Sequence, residues 1–272
     1  MYDKVFEPIK LFFVYSRYMT KAFFQYKFDA FLRTLAVFIR ESTAVIVVYL
    51  TLQRFDNISG WNMKELLFLY SFIYITYSLL ILFFTGLRDF QEIVYDGTFD
   101  RFLLRPRGLM FQVMTNYSDY LASIGHGTLG IILFINTSRA VGIVWNVTNV
   151  IYCILAIIGG VLIQASIFML FSCASFYFIK IDSLKDFLYY NTRKIAGYPI
   201  SIFPAFIRKM MIFIVPFAFV NYFPSQYFLN KQDMAEFWHG YIYLTPVIGI
   251  VLYTLTCGLW KISLRHYEST GN

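Results

Sequence analysis

The chain has 272 residues, of which 58% are hydrophobic, 21% aromatic and 14% charged. A soluble globular domain carries about 25% charged residues, so this composition excludes an ordinary soluble domain and reads as an integral membrane protein. The net charge of +7 is spread over several loops, which fits positive cytoplasmic loops and argues against nucleic-acid binding.

Residues 1–30 read as an amphipathic helix lying in the membrane surface. Lys10, Arg17 and Lys21 share one helical face, and Phe12, Tyr15, Met19, Phe23 and Tyr26 share the opposite one. A basic face opposed by aromatics is what the headgroup boundary selects, although a helix packed on protein could show the same pattern.

A first span is expected over residues 31–52. Arg33 can snorkel from its end, but Arg40 and Glu41 lie deeper. Neighbouring helical residues point about 100° apart, so these two are not expected to pair with each other. Each then needs a partner in another span, with Asp119 a candidate for Arg40, or the helix enters late and both charges sit at the interface.

A turn at Ser59–Gly60 and an anchor at Trp61 precede a second span, residues 66–87. Residues 88–108, RDFQEIVYDGTFDRFLLRPRG, then form the only long polar island between apolar runs. Asp89, Glu92, Asp96 and Asp100 interleave there with Arg88, Arg101, Arg105 and Arg107. Such a segment must lie in water, and its mixed signs suit an amphipathic docking element better than a tail for lipid or nucleic acid.

The third span, residues 117–135, holds Asp119 and His126 among the small residues Ser118, Ala122, Ser123 and Gly127. Small residues three and four apart allow close helix approach, within the chain or between subunits. Gly125, Gly127 and Gly130 spell GxGxxG, but with no preceding strand the dinucleotide reading fails and packing is the expected role.

The apolar run 147–179, interrupted by Gly159–Gly160 and carrying Gln164, is longer than a bilayer core and must tilt, bend or project. A polar segment, 180–194, separates it from an expected fifth span at 207–223. Prolines 199, 204, 216, 224 and 246 fall in the last third of the chain, which implies broken or re-entrant helices there. The last span, 238–260, closes on Lys261, Arg265 and His266.

Six spans place both termini on one side, together with the polar island and region 180–209. The opposite loops contribute only Arg54, Lys64, Arg139 and Lys231, so the first side is cytoplasmic by the positive-inside rule. The expectation is an all-α integral membrane protein of six transmembrane helices, multi-pass in the cytoplasmic membrane.

The chain has no GxxxxGK[ST], HExxH or GxSxG motif. Cys153, Cys173 and Cys257 lie in apolar runs without CxxC spacing, and His126, His239 and His266 are far apart. No catalytic, metal or cofactor site is therefore expected, and energy must come from a partner.

The run Gly97-Thr-Phe-Asp100-Arg-Phe-Leu103-Leu104-Arg105-Pro106 resembles the first-loop signature, G-x-x-D-x-x-L-x-x-P, of ABC-2 type permease subunits of ABC transporters. The resemblance implies a six-span transmembrane domain over 31–272, with a cytoplasmic coupling helix in the loop 88–110 between spans two and three. It implies that this helix docks in a groove of a separate ABC ATPase, which carries the ATP and Mg. Gly97 would start or break the helix and Asp100 would cap it. Leu103 and Leu104 would press into the groove, Arg105 would make a polar contact and Pro106 would end the element. Such a permease dimerises with an identical or related subunit and exports a lipid, peptide or drug-like substrate by alternating access. Arg40, Glu41, Asp119, His126 and Gln164 are candidates for lining the path, alongside simple packing roles. The alternatives are an ion-gradient-driven transporter, with Asp119 or Glu41 titrating, and a membrane-embedded protein that modifies lipid.

Overall fold

Within a bilayer each backbone N–H and C=O must find its partner inside the segment, so long apolar runs fold as helices. The computed structural model describes residues 11–269 except 12–13, 16, 19–20, 22–24, 55–56, 117, 179, 232 and 234–236, and these residues form helices and no β-strand. The expected N-terminal surface helix lies largely outside the described residues.

Helix α1 (Lys27–Arg54) precedes α2 (Met63–Arg88). α2 opens on a reciprocal cap: Asn62 Oδ1 accepts from Glu65 N at 3.1 Å and Glu65 Oε2 accepts from Asn62 N at 2.8 Å. The polar island folds as α3 (Phe90–Tyr95) and α4 (Phe99–Leu103), followed by α5 (Leu109–Asn116). Then come α6 (Tyr120–Val141) and α7 (Val147–Ala174). Residues 182–195 form α8, whose middle, Asp186–Asn191, is a π-helical turn. The chain ends with α9 (Ala205–Ile214), α10 (Tyr222–Leu229) and α11 (Thr245–Ser263).

Among the described residues, four helices are long and apolar enough to cross a membrane: Met63–Tyr95, Tyr120–Val141, Val147–Ala174 and Thr245–His266. A pair, Ala205–Ile214 and Phe217–Leu229, bends by 75° and makes a fifth if counted as one span. α1, with 28 residues, is of similar length but carries Arg33, Arg40 and Glu41.

Small residues set the closest seams. Between α2 and α6, Ser78 Oγ donates to Ser123 O at 2.9 Å and Ser123 Oγ donates back to Ser78 O at 3.0 Å. Between α7 and α11, a Cβ on Gly249 would lie 2.5 Å from Gly159 O, so only glycine permits that crossing. The GxGxxG residues are packing surface too: Gly125 faces Val37 of α1, Gly127 faces Ser78 and Gly130 faces Ile75, both on α2.

The contacts define two ends. α2 spans 26 residues, so its ends are about 39 Å apart at about 1.5 Å per residue. At the Arg88 end, Gln91 Nε2 meets Asp182 Oδ2 at 3.1 Å and Lys185 Nζ reaches Arg88 O at 3.5 Å. At the Met63 end, Trp61 Nε1 donates to Asp233 Oδ2 at 2.7 Å and Lys231 Nζ pairs with Glu65 at 2.8 Å.

These contacts revise the course of the chain after α7. Asp182 sits at the Arg88 end, whereas Ser201 Oγ donates to Asp233 at 2.8 Å at the Met63 end. Residues 182–202 therefore run the length of the molecule, where a surface segment was expected. The bent pair leaves from the Met63 end, reaches inward until Phe217 packs 5.3 Å from the Tyr189 ring, and returns where the Tyr222 hydroxyl meets Asp233. The expected fifth span at 207–223 is in this way a re-entrant hairpin. Arg193, read as a surface cation, is largely buried partway along the protein, and Lys194 beside it stays exposed.

Candidate docking face and buried polar cluster

The island is a short helix with two unlike faces. Gly97 takes φ +66°, a left-handed conformation that suits glycine, and turns the chain from α3 into α4. Phe99 and Phe102 then point inward and are buried. Phe99 lies 5.2 Å from Phe90, 5.8 Å from Phe176 and 4.8 Å from Tyr267, and Phe90 lies 4.8 Å from Trp260. This aromatic cluster ties the island to residues just after α7 and to the end of α11. Burying each phenyl ring contributes about 1.5–3 kcal/mol. Gln112 of α5 fastens the other side, donating through Nε2 to Phe102 O at 3.1 Å and to Arg107 O at 2.8 Å.

The outward face sets two exposed leucines among the exposed arginines Arg101, Arg105 and Arg107. Leu103 is 47% exposed and Leu104 is 86% exposed. Arg105 extends beside them, its guanidinium 5.5 Å from the Phe102 ring, and Pro106 follows in the exposed turn.

Asp100 does not cap α4. Thr98 occupies the N-cap position, and the Asp100 carboxylate accepts from Tyr267 OH at 2.9 Å and Ser269 Oγ at 2.6 Å. The hydrogen bonds from Ser269 and then Tyr267 hold its carboxyl below the ordinary value. Burial, then the hydrogen bond to Asp100, pushes the Tyr267 hydroxyl up to about 12. Sequence reasoning missed this partner because the two segments are far apart in the chain.

Between the two ends lies a polar cluster. Glu41 pairs with Arg40 at 3.0 Å and with Arg193 at 3.6 Å, and His126 Nδ1 is 3.9 Å away. The Arg193 guanidinium stacks over the Tyr77 ring at 3.8 Å, and Tyr77 meets His126 edge-on at 4.8 Å. Tyr74 OH donates to Glu41 O at 3.1 Å. Nearby, Tyr189 OH donates to Gln164 Oε1 at 2.7 Å, and Tyr189 lies 6.4 Å from Tyr77.

The structure thus gathers Glu41, His126 and Gln164 around one region and adds Arg193, which sequence reasoning had placed in a loop. Two expectations fail. Arg40 and Glu41 do pair, because the long arginine side chain bridges the angle between adjacent positions. Asp119 is not their partner: its Oδ1 accepts from Ala122 N at 3.2 Å and caps α6.

A cavity of about 290 Å³ opens beside this cluster, walled by Glu41, Val47, Tyr70, Ile73, Arg193 and Lys194.

Over residues 38–271 the chain matches the model of a family described as ABC-2 family transporter protein. Comparison with curated proteins and with solved structures found no match.

Proposed function

Because the chain belongs to the ABC-2 family of transporter proteins, a family of membrane transport subunits that partner with an ABC ATPase, we propose that it is the permease of an ATP-driven exporter. Six crossings would be α1, α2, α6, α7, residues 182–202 and α11, with the Arg88 end and both termini in the cytosol of a cytoplasmic-membrane protein. Two such subunits, identical or related, would pair above two ATPases, which supply ATP and Mg. The cargo would be amphiphilic or hydrophobic.

The observation that carries this reading is the two-faced island. Its inner face is locked by Phe99 to Phe176 just after α7 and to Tyr267 just after α11, with Phe102 buried against Phe99, while Leu103 and Leu104 are left exposed. A partner that displaced the leucine pair would move the spans with it, because the aromatic cluster leaves little freedom between them. Gly97 sets the turn, Asp100 fixes the helix to the C-terminal segment, Arg105 flanks the leucines and Pro106 closes the element. Nucleotide-driven closure of the ATPases would reach the membrane by this route, alternating access to a path beside Glu41, His126, Gln164 and Arg193.

An ion-gradient mechanism fits less well. Glu41 is tied in ion pairs to both Arg40 and Arg193, and Asp119 is committed to the cap of α6. Reconstituted proteoliposomes separate the two. Transport should require the ATPase and ATP and survive collapse of the proton gradient. Transport that runs without ATP and stops with the gradient would overturn the proposal.

A further inference from the structure

We infer that the cavity beside Arg193 binds the anionic head of an amphiphile, a carboxylate or phosphate, with the hydrocarbon chain against its apolar wall. The inference deepens the permease reading and rests on it for the meaning of the site. The cavity, about 290 Å³, has a mixed lining. Arg193 and Lys194, the carboxylate Glu41 and the tyrosines Tyr70, Tyr74 and Tyr198 supply its polar part, and Ala44, Val47 and Ile73 its apolar part. Its volume suits a head group and the first part of a chain.

Charge decides the sign of the ligand. Arg40, Arg193 and Lys194 stand against one carboxylate, Glu41, and Arg40 already pairs with it. Arg193 is further committed to Glu41 and to the Tyr77 ring, yet its Nε is buried with no hydrogen-bond partner. Lys194 is exposed and pairs with no acid among the described residues. These groups lie level with Tyr77, which is 14 residues from one end of α2 and 11 from the other. A cation at that depth is costly unless an anion or water meets it. A ligand with an anionic head meets Lys194 and sets a second negative charge beside Arg193, and its chain covers Val47 and Ile73. A neutral or cationic head would leave the positive surplus in place.

The test uses the full chain in nanodiscs of phosphatidylcholine, without an ATPase, and radiolabelled oleate, dioleoyl phosphatidic acid, oleyl alcohol and inorganic phosphate. Oleate or phosphatidic acid should bind saturably, with whichever binds tighter identifying a carboxylate or a phosphate head. Oleyl alcohol and free phosphate should bind at least about tenfold more weakly, the loss expected when a charge pair or the apolar chain is missing. Lys194→Gln, an exposed change that leaves folding intact, should weaken the anionic amphiphile about five- to tenfold, and Arg193→Lys should weaken it less than Arg193→Gln. Equal binding of oleate and oleyl alcohol, or a Lys194→Gln variant that binds like the parent, would overturn the inference. Phosphate binding as tightly as the amphiphiles would overturn its amphiphile part. Because no ATPase is present, loss of ATP coupling in a separate transport assay would count against the permease reading and not against this one.

Discussion

Asp233 at one end of the molecule and Asp100 at the other each gather donors from segments far apart in sequence, but they do so in different surroundings. Asp233 collects Trp61 Nε1, Ser201 Oγ, Tyr222 OH and Gln226 Nε2, with the Trp61 ring buried and Lys231 over it at 5.0 Å. Asp100 takes Tyr267 OH and Ser269 Oγ, at the rim of an exposed helix. The first knots three loops and the re-entrant hairpin into a fixed lid. The second is a tie that a docking partner could release. The Met63 end is thus knotted by donors from several segments converging on one carboxylate, while the Arg88 end is held by a lighter, more exposed tie.

The largest effect that bears on this contrast should come from Asp233→Ala. It strands several donors in a buried setting, each costing about 1–3 kcal/mol, so a loss of about 3–5 kcal/mol is expected. Thermal unfolding in detergent should show a clear drop. A change of Tm within error would mean that the knot is not structural, and the contrast between the ends would collapse. Arg193→Met should come next, costing about 2–3 kcal/mol by leaving Glu41 with Arg40 alone; adding Glu41→Gln should recover part of that loss. A fully additive double variant would show that the two charges are not coupled.

Smaller still is the Asp100 tie, and its pH dependence has a fixed sign. The Asp100 carboxyl lies below its ordinary value of 3.8, so its contribution is present above that value and fades as pH falls through the lowered one. Tyr267 is raised from 10.0 to about 12, so its contribution is full below pH 10 and fades as pH climbs towards about 12. Amide protection factors in residues 99–103, relative to the intrinsic exchange rate at each pH, should therefore be highest between these limits and lower in Asp100→Asn. A flat profile that the variant does not alter would remove the tie.

Much of this architecture could be read in the sequence. The runs that became α2, α6, α7 and most of α11 are apolar enough to need no tertiary information, and the island stood out by charge alone. The family resemblance put Gly97 at the start or break of the helix, and its φ of +66° there suits glycine. Residues 182–202 could not be read this way. Asp182, Lys185, Asp186, Asn191, Arg193 and Lys194 make the segment look like a loop. It runs the length of the protein because Tyr189 finds Gln164 and Arg193 finds Glu41 and Tyr77, partners invisible to a hydropathy window. The same limit hid Asp233, a lone acid with no local motif, and misassigned Asp119, whose capping role needed the true start of α6.

The most direct test of the account is co-purification of the ATPase subunit with the Leu104→Asp variant. Leu104 is 86% exposed, so the substitution should change stability by no more than about 0.5 kcal/mol. The variant should keep a Tm like that of the parent but lose both the ATPase and ATP-driven transport, and Leu104→Met should retain both. A Leu104→Asp protein that still holds the ATPase and transports at the parental rate would contradict it.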